Sequence, residues 1–426
     1  MKKVVSLGLI GFGTIGSGVV KLLEQNKKII EKRTGQEIIL KKIVDKDISS
    51  SRGININKKL LSTKADDILL DPEIDIVIEL IGGINPAKNY ILKALEQGKS
   101  IVTANKALLS EHGLDIFKTA FLKKKEIGFE ASVAGGIPII KILQESLVGN
   151  KIETIWGILN GTCNYILTQM KEKEKSFKEA LLEAQSQGFA EKNPYLDIEG
   201  IDTAHKISIL SMIAFGTNIP FNKIYTEGIS EITFNDLQNI DELGFSLKLL
   251  AIAKNYEEKL DIRVHPTLIP KTSALAKING TFNGICIKGD AVGEMMFYGL
   301  GAGSLPTASA VISDIVNISS RKGLISPLIE ETSKIIDIQE ISTKYYLRFI
   351  TEDKPGVLSQ IANILGQNNI SISSVIQKEK HQKNKVPIIM MLYEAKEKNL
   401  RIALELIDKL PAIKEKTLKI RVEKNL

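Results

Sequence analysis

The spacing of apolar and polar positions changes several times along the chain, and the changes mark out its elements. KKVVSLGLI is nearly all apolar after its lysines, as in a strand covered on both faces, and IGSGVVKLLEQ then follows a helical period. EIILKKIVD, IDIVIELIGG (74–83), SIVTAN and EIGFEASVAGG (126–136) read as further strands. NYILKALEQG and ALLSEHGLDIFKTAFLKK read as helices between them, and another helix starts at Pro138. Strands alternating with helices predict a Rossmann-type, doubly wound parallel sheet.

Past residue 150 the order changes. ETIWGILNGTCNYIL predicts a strand, a turn at Asn160–Gly161 and a helix. Ser176 and Glu179 form a capping box for a helix that Gly188 stops. An acidic loop follows, with Glu191, Asn193, Pro194, Asp197, Glu199 and Gly200, and then a helix from near Asp202 to Phe215. FSLKLLAIA is placed in a long helix, LDIRVHPTLIP and GICIKGD in strands, and YGLGAGSLPTASAVISDI in a glycine turn leading into a helix. ETSKIIDIQEISTK reads as a linker. YYLRFI, the helix after DKPG, ISISSVIQ, a KEKHQKNK loop, VPIIMMLYEA, NLRIALELIDKL and TLKIRV then give βαββαβ, the ferredoxin-like order. Three units result: residues 1–137 for dinucleotide binding, 138–328 as an α+β catalytic and dimerisation unit whose end returns to the first, and 344–423 as a terminal domain.

Composition narrows the function classes. A chain of 426 residues, 43% hydrophobic and 25% charged, is an ordinary globular balance with room for two to four domains. Charges interrupt every apolar segment before the ~20 residues that a bilayer needs, so no membrane partner is expected. MKKVVSLGLIGFGTIGSG mimics a signal peptide, but its glycines suit a nucleotide turn, and it is read as mature structure. Two cysteines make neither a disulfide framework nor a metal cluster, which fits a cytoplasmic protein. The net charge of +7 is spread along helices, as in KEKEK at 171–175, without the dense basic block of a nucleic-acid binder.

The candidate chemistry lies in two places. In GFGTIG, Gly11, Gly13 and Gly16, with Phe12, Thr14 and Ile15 between them, suit a turn that brings pyrophosphate to a helix N-terminus. Asp45 ends the second strand, where an acid binds ribose hydroxyls, and Gly188 and Gly303 are further candidates for cofactor contact. Gly303 is equally a plain tight turn. Lys106 stands at the carboxyl end of a strand, where such sheets bind ligands, although a surface lysine is the plainer reading. Lys206 heads the stripe Lys206, Leu210, Ile213, one turn after Asp202. An exposed i,i+4 pair would be worth only ~0.3–0.5 kcal/mol. A lysine on an inward stripe, with carboxylates nearby, instead suits binding a substrate ammonium and moving a proton. These residues alone do not name a reaction.

Taken in order, GFGTIGSGVV, ELIGG with Pro86, VTANKALL, EASVAGGIPII, ILNGTCNYIL, the Glu191–Lys206 stretch, HPTLIP, and GDAVGEMMFYGLGAG with LPTASAV resemble the homoserine dehydrogenase family over essentially the whole chain. The resemblance implies reversible NAD(P)-dependent reduction of L-aspartate 4-semialdehyde to L-homoserine. It implies Lys206 as proton donor, Lys106 near substrate and nicotinamide, and Glu191, Asp197 and Asp202 as substrate contacts. It also implies a monovalent cation, commonly sodium, at Glu130, Val133, Gly135 and Ile137. DKPGVLSQIANIL and NISISSVIQ resemble an ACT domain, which implies an amino-acid effector, here threonine as pathway end product. A homo-oligomer, dimer or tetramer, is expected. Asp45 favours NAD over NADP slightly, with both accepted. Two rival readings are a dehydrogenase of another amino-acid aldehyde and a catalytically silent amino-acid sensor.

Overall fold

The computed structural model describes residues 3–320, 333–377, 385–424 and 426. Its first sheet has six parallel strands side by side: Leu61–Ser62, Gln36–Val44, Lys3–Ile10, Ile76–Glu79, Ser100–Thr103 and Ile127–Gly128. In chain order this is 3-2-1-4-5-6, and the reversal beside the first strand opens a crevice at the carboxyl ends. Strand Lys3–Ile10 is covered on both faces, with Leu7 and Leu9 buried in one core and Ile10 in another, as its unbroken apolar run requires. Of the strand expected over 126–136, only Ile127–Gly128 pairs. Asp314 fills the space where Gly128 would carry a side chain, and Ala134 and Gly135 turn left-handed, so the chain leaves the sheet.

Helix Ser304–Ser319 returns to this first unit. Its Ala308, Val311 and Ile315 share a core with Val5, Leu7, Leu9 and Val19. The glycine-turn helix, Thr14–Gln25, lies against it.

The second sheet runs Gly293–Leu300, Phe282–Gly289, Ile152–Ile158, Phe245–Asn255 and Lys259–Pro270, antiparallel throughout. FSLKLLAIA is thus a strand, not a helix. Helix Phe234–Glu242 ends just before it. Its leucines, lysine and alanines favour a helix locally, but Leu247 to Ala253 are buried between two partner strands. An unbroken apolar run does not distinguish a two-faced strand from a buried helix, and tertiary pairing decides.

The terminal domain has the expected order. Its strands Ser342–Glu352, Ile372–Gln377, Lys385–Lys396 and Leu418–Val422 are covered by helices Val357–Gln367 and Glu397–Ile407. The KEKHQKNK loop lies outside the described residues up to Lys385, as does the end of the second unit at 328. The domain is not a free appendage. Strand Leu418–Val422 pairs parallel with Lys259–Pro270, through Thr267 with Arg421 and Leu268 with Val422, so both units share one eleven-stranded sheet. Part of the expected linker, Lys334–Ile335, adds to the same strand.

Ion pairs line this junction. Arg421, its side chain 1% exposed, donates to Glu397 and Glu227, and Lys419 also pairs with Glu397. Arg263 pairs with Asp261, and Lys254 with Glu423. Buried charges cost several kcal/mol each unless paired, so opposite charges fix the register of this seam.

Candidate active site

Two neighbouring strands of the first sheet deliver polar groups to its carboxyl end. Glu79 closes strand Ile76–Glu79 and is fully buried, and burial pushes its carboxyl upward. Its oxygens accept from the N–H groups of Ile81 and Gly82 and from Thr103 Oγ1, at 2.9, 3.3 and 2.7 Å, which fixes two loops at once. Asn105 caps the next helix, Lys106–Lys123, by accepting from the N–H of Leu108, and donates to Gly83 O at 2.6 Å. Lys106 is therefore the first residue of that helix, where the macrodipole disfavours a cation.

A carboxylate from the second unit offsets this. Helix Ile201–Phe215 packs along Lys106–Lys123 and brings Asp202 to 3.1 Å from Lys106 Nζ. The other oxygen of Asp202 accepts from Lys206 Nζ at 2.7 Å and from Asn160 Nδ2 at 2.9 Å. Asn160 also donates to Asp197 at 2.7 Å, while its Oδ1 caps helix Gly161–Glu172 at Cys163. Lys206 Nζ donates in addition to Leu159 O at 2.6 Å, a carbonyl shared with Asn283 Nδ2.

The charges are pushed apart by these surroundings. Burial alone would raise Asp202, but the ammoniums of Lys206 and Lys106 outweigh it and hold the carboxyl well below the usual range. Asp202 in turn raises Lys106. Burial, with the charge of Asp202, pushes Asp197 upward. One carboxylate stays charged between two cations, and a second takes up a proton more readily. Such divergence suits acid–base work. Glu191 is exposed on the loop beyond, and its charge also acts on Lys106.

The glycine turn fits a nucleotide. Gly11 has φ +102 and lies against the Leu80 backbone, where a side chain would stand 2.6 Å away. A side chain at Gly16 would strike Gly11 O, whereas nothing stands within 4 Å of one at Gly13. Helix Thr14–Gln25 starts without a side-chain cap, so its N–H groups remain available for an anion. Phe12 is held on both sides: its N–H donates to Asp45 at 2.5 Å, and its carbonyl accepts from Arg52 Nε at 3.0 Å. Asp45 also accepts from the N–H of Asp47. Ser304, directly after Gly303, donates to Thr14 O at 2.7 Å and ties the second glycine turn to the first. Ile15 lies in the first turn of the helix. Gly188 is an exposed left-handed stop after helix Phe177–Ser186.

The expected cation residues surround a tight turn. Glu130, 3% exposed, accepts from the N–H groups of Ile140 and Lys141, both at 2.9 Å, and burial pushes it up to about 7. Its own N–H donates to Asp314, a second buried acid pushed well above its ordinary range by burial and by the charge of Glu130. Between Val133 and Ile137 the chain turns through Ala134 and Gly135, and Gly135 lies on the Gly301 backbone.

Sequence reasoning placed Lys106, Asp197, Asp202 and Lys206, and all four meet in one network. It missed the side chains of Asn160, Asn283 and Asp314. Asn160 had a legible signal, an Asn-Gly pair before a helix, read there only as a turn. Asn283 and Asp314 had none, because their partners are distant in sequence.

Comparison with known proteins gives the chain's relatives. Residues 11–130 match the model of the homoserine dehydrogenase NAD-binding domain, 138–316 that of homoserine dehydrogenase, and 345–412 that of the ACT domain. The homoserine dehydrogenase of Helicobacter pylori is 43% identical over 425 residues, 99% of this chain and 100% of that one. That of Pseudomonas aeruginosa is 41% identical, with 99% of each chain covered. The crystal structure of a homoserine dehydrogenase from Thiobacillus denitrificans superposes with a TM-score of 0.93 at 42% identity, covering 99% of both chains. With such relatives along its full length, the chain belongs to the homoserine dehydrogenase family.

Proposed function

We propose that the chain reduces L-aspartate 4-semialdehyde reversibly to L-homoserine, with Lys206 as proton donor. The observation that carries this is the Asp202 carboxylate held between the ammoniums of Lys106 and Lys206. A bound nicotinamide supplies hydride to the aldehyde carbon. The oxygen left behind gathers negative charge and needs a proton or a cation within reach. Lys206 offers both, and its hydrogen bonds to Asp202 and Leu159 O fix the ammonium's direction. Lys106, half exposed toward the crevice, adds positive charge on the nucleotide side. Glu191 and Asp197 take the substrate's α-ammonium. A silent sensor would have no use for this network.

The nucleotide would lie over Gly13, with its adenosine end near Asp45 and Arg52. Asp45 suits free ribose hydroxyls, and Arg52, already on the carbonyl of Phe12, suits a 2′-phosphate, so both cofactors are used, NAD(H) at least as well as NADP(H). A sodium ion would sit on carbonyls of Val133, Gly135 and Ile137 beside Glu130. Two adjacent buried acids, Glu130 and Asp314, support a cation there. The protein works in the cytoplasm, in threonine and methionine biosynthesis. It pairs with a second copy through edge strand Gly293–Leu300, whose Met296, Tyr298 and Leu300 are exposed. Its terminal domain binds an amino acid, with threonine the first choice.

Lys206→Ala should lower kcat by about 10²–10⁴ while NADH binding, followed by fluorescence, stays near wild type. Turnover within a few-fold of wild type would remove the proton-donor role.

Asp45→Arg should shift the ratio of kcat/KM values toward NADP, and Arg52→Ala should cost NADP more than NAD. An unchanged ratio in both variants would mean that neither side chain reads the ribose.

Burial pushes Glu130 up to about 7 in the folded chain, from an ordinary value of 4.5. Between these values the unfolded chain loses a proton that the folded chain keeps, so stability falls as pH rises, by up to about 3 kcal/mol. Asp314 acts in the same sense. Sodium should restore part of the loss in thermal melts at pH 7 to 8, and Glu130→Gln should flatten the slope and abolish the sodium effect. A sodium effect that survives in Glu130→Gln would place the ion elsewhere.

Threonine should lower activity of the full-length chain saturably. The full chain is required, because truncation near residue 330 would uncover strand Lys259–Pro270 and its buried charges. Activity indifferent to threonine would leave the terminal domain a structural module or one with another ligand.

A further inference from the structure

The start of helix Ile201–Phe215 is gripped from outside. Its left-handed cap, Gly200 (φ +78), is closely enclosed: a side chain there would stand 3.1 Å from Thr226 and 3.3 Å from Glu227 O. Gly228 is equally confined: a side chain there would run into Ile198 O and stand 2.7 Å from the Glu199 carboxylate. Between these contacts, the N–H of Ile229 donates to Ile198 O at 2.9 Å, and Ser230 Oγ donates to Glu199 at 3.1 Å. Residues 226–230 therefore clasp residues 198–200, directly ahead of Asp202 and one turn further from Lys206.

The clasp is anchored on both domains, by the backbone of Glu227 to the catalytic sheet and by its side chain to the terminal domain. The N–H of Glu227 donates to Val264 O at 2.8 Å. Its carboxylate accepts from both terminal nitrogens of Arg421, at 2.6 and 3.2 Å, and from the Tyr225 hydroxyl. Arg421 lies 5.0 Å over the Tyr225 ring and is held from behind by Glu397 at 2.7 and 2.9 Å. Arg421 and Glu397 are terminal-domain residues, and Glu227 is not. A two-pronged guanidinium–carboxylate contact fixes direction as well as distance. Movement of the terminal strand would thus either carry residues 226–230 with it or leave Glu227 without its countercharge.

We propose that Glu227 is a positioning residue for the reaction. Through Arg421 the terminal domain sets where the cap of the catalytic helix stands, and with it Asp202 and Lys206. The proposal rests on the reading of those two residues as the reacting pair.

The test uses the full-length enzyme. Glu227→Ala should lower kcat/KM for homoserine by about ten- to a hundredfold while KM for the nucleotide stays within about twofold, because only the second unit's half of the site shifts. Glu227→Gln keeps a carbonyl acceptor for Arg421 and should recover part of the loss. Ser230→Ala, at the exposed outer part of the clasp, should show a smaller loss in the same parameter at an unchanged melting temperature. If Glu227→Ala does not fold, Ser230→Ala and Glu227→Gln decide. Wild-type homoserine kinetics in these variants, with or without a lowered melting temperature, would reduce Glu227 to a structural ion-pair partner. An equal loss for nucleotide and homoserine would overturn the proposal as well. Lys206→Ala separates the two levels: if it stays active, the catalytic reading has failed, and if it is inactive while the Glu227 variants behave as wild type, only this inference has failed.

Discussion

The structure depends most on the burial of one carboxylate. Asp202 is 7% exposed and carries its charge only because Lys206, Lys106 and Asn160 converge on it. Alone, a carboxylate in that position would cost several kcal/mol or take up a proton. Lys106 has a complementary difficulty, since a cation at the first position of a helix opposes the macrodipole by roughly 0.3–1 kcal/mol. The two problems cancel across the boundary between the units. The same contact that makes the site electrically tolerable therefore sets the distance between the nucleotide crevice and helix Ile201–Phe215.

This explains why the site is spread thinly in sequence yet compact in space. Asn105 caps one helix and Asn160 another, and each uses its remaining amide hydrogens to tie its cap to the site, at Gly83 O or at Asp197 and Asp202. Capping and positioning share side chains, so few further residues are needed to hold the lysines.

Local signals made most of the fold legible. Gly11 and Gly16 announced a turn because only glycine fits their surroundings, and the structure gives the physical cause in the Leu80 backbone and in Gly11 O. The capping box at Ser176 and Glu179 and the left-handed stop at Gly188 stand where the chain signalled them. Of the site, Lys206 and Asp202 were visible as an i,i+4 pair on an inward stripe, and Lys106 as a strand-end lysine. What sequence could not carry was non-local. FSLKLLAIA has helical propensity and became a strand because strands on both sides claimed its backbone. Asp314 meets Glu130, and Asn283 meets Leu159 O, across separations that no periodicity encodes.

The terminal domain gives the strongest case of this limit. Its internal order followed from alternating apolar runs, yet nothing in those runs indicated that its last strand would extend the catalytic sheet. The signal lay in residues that resist burial: Arg421, Lys419 and Glu397 on one side, Glu227, Asp261 and Arg263 on the other. Apolar side chains alone would have sealed the seam as well, since buried ion pairs often add little net stability. What paired charges add is discrimination, because a shift of one residue along Leu418–Val422 would turn Arg421 to the opposite face and strand its partners. A domain fastened this way has one permitted register, and a displacement of it would take the countercharge from Glu227, beside the cap of the helix that holds Asp202.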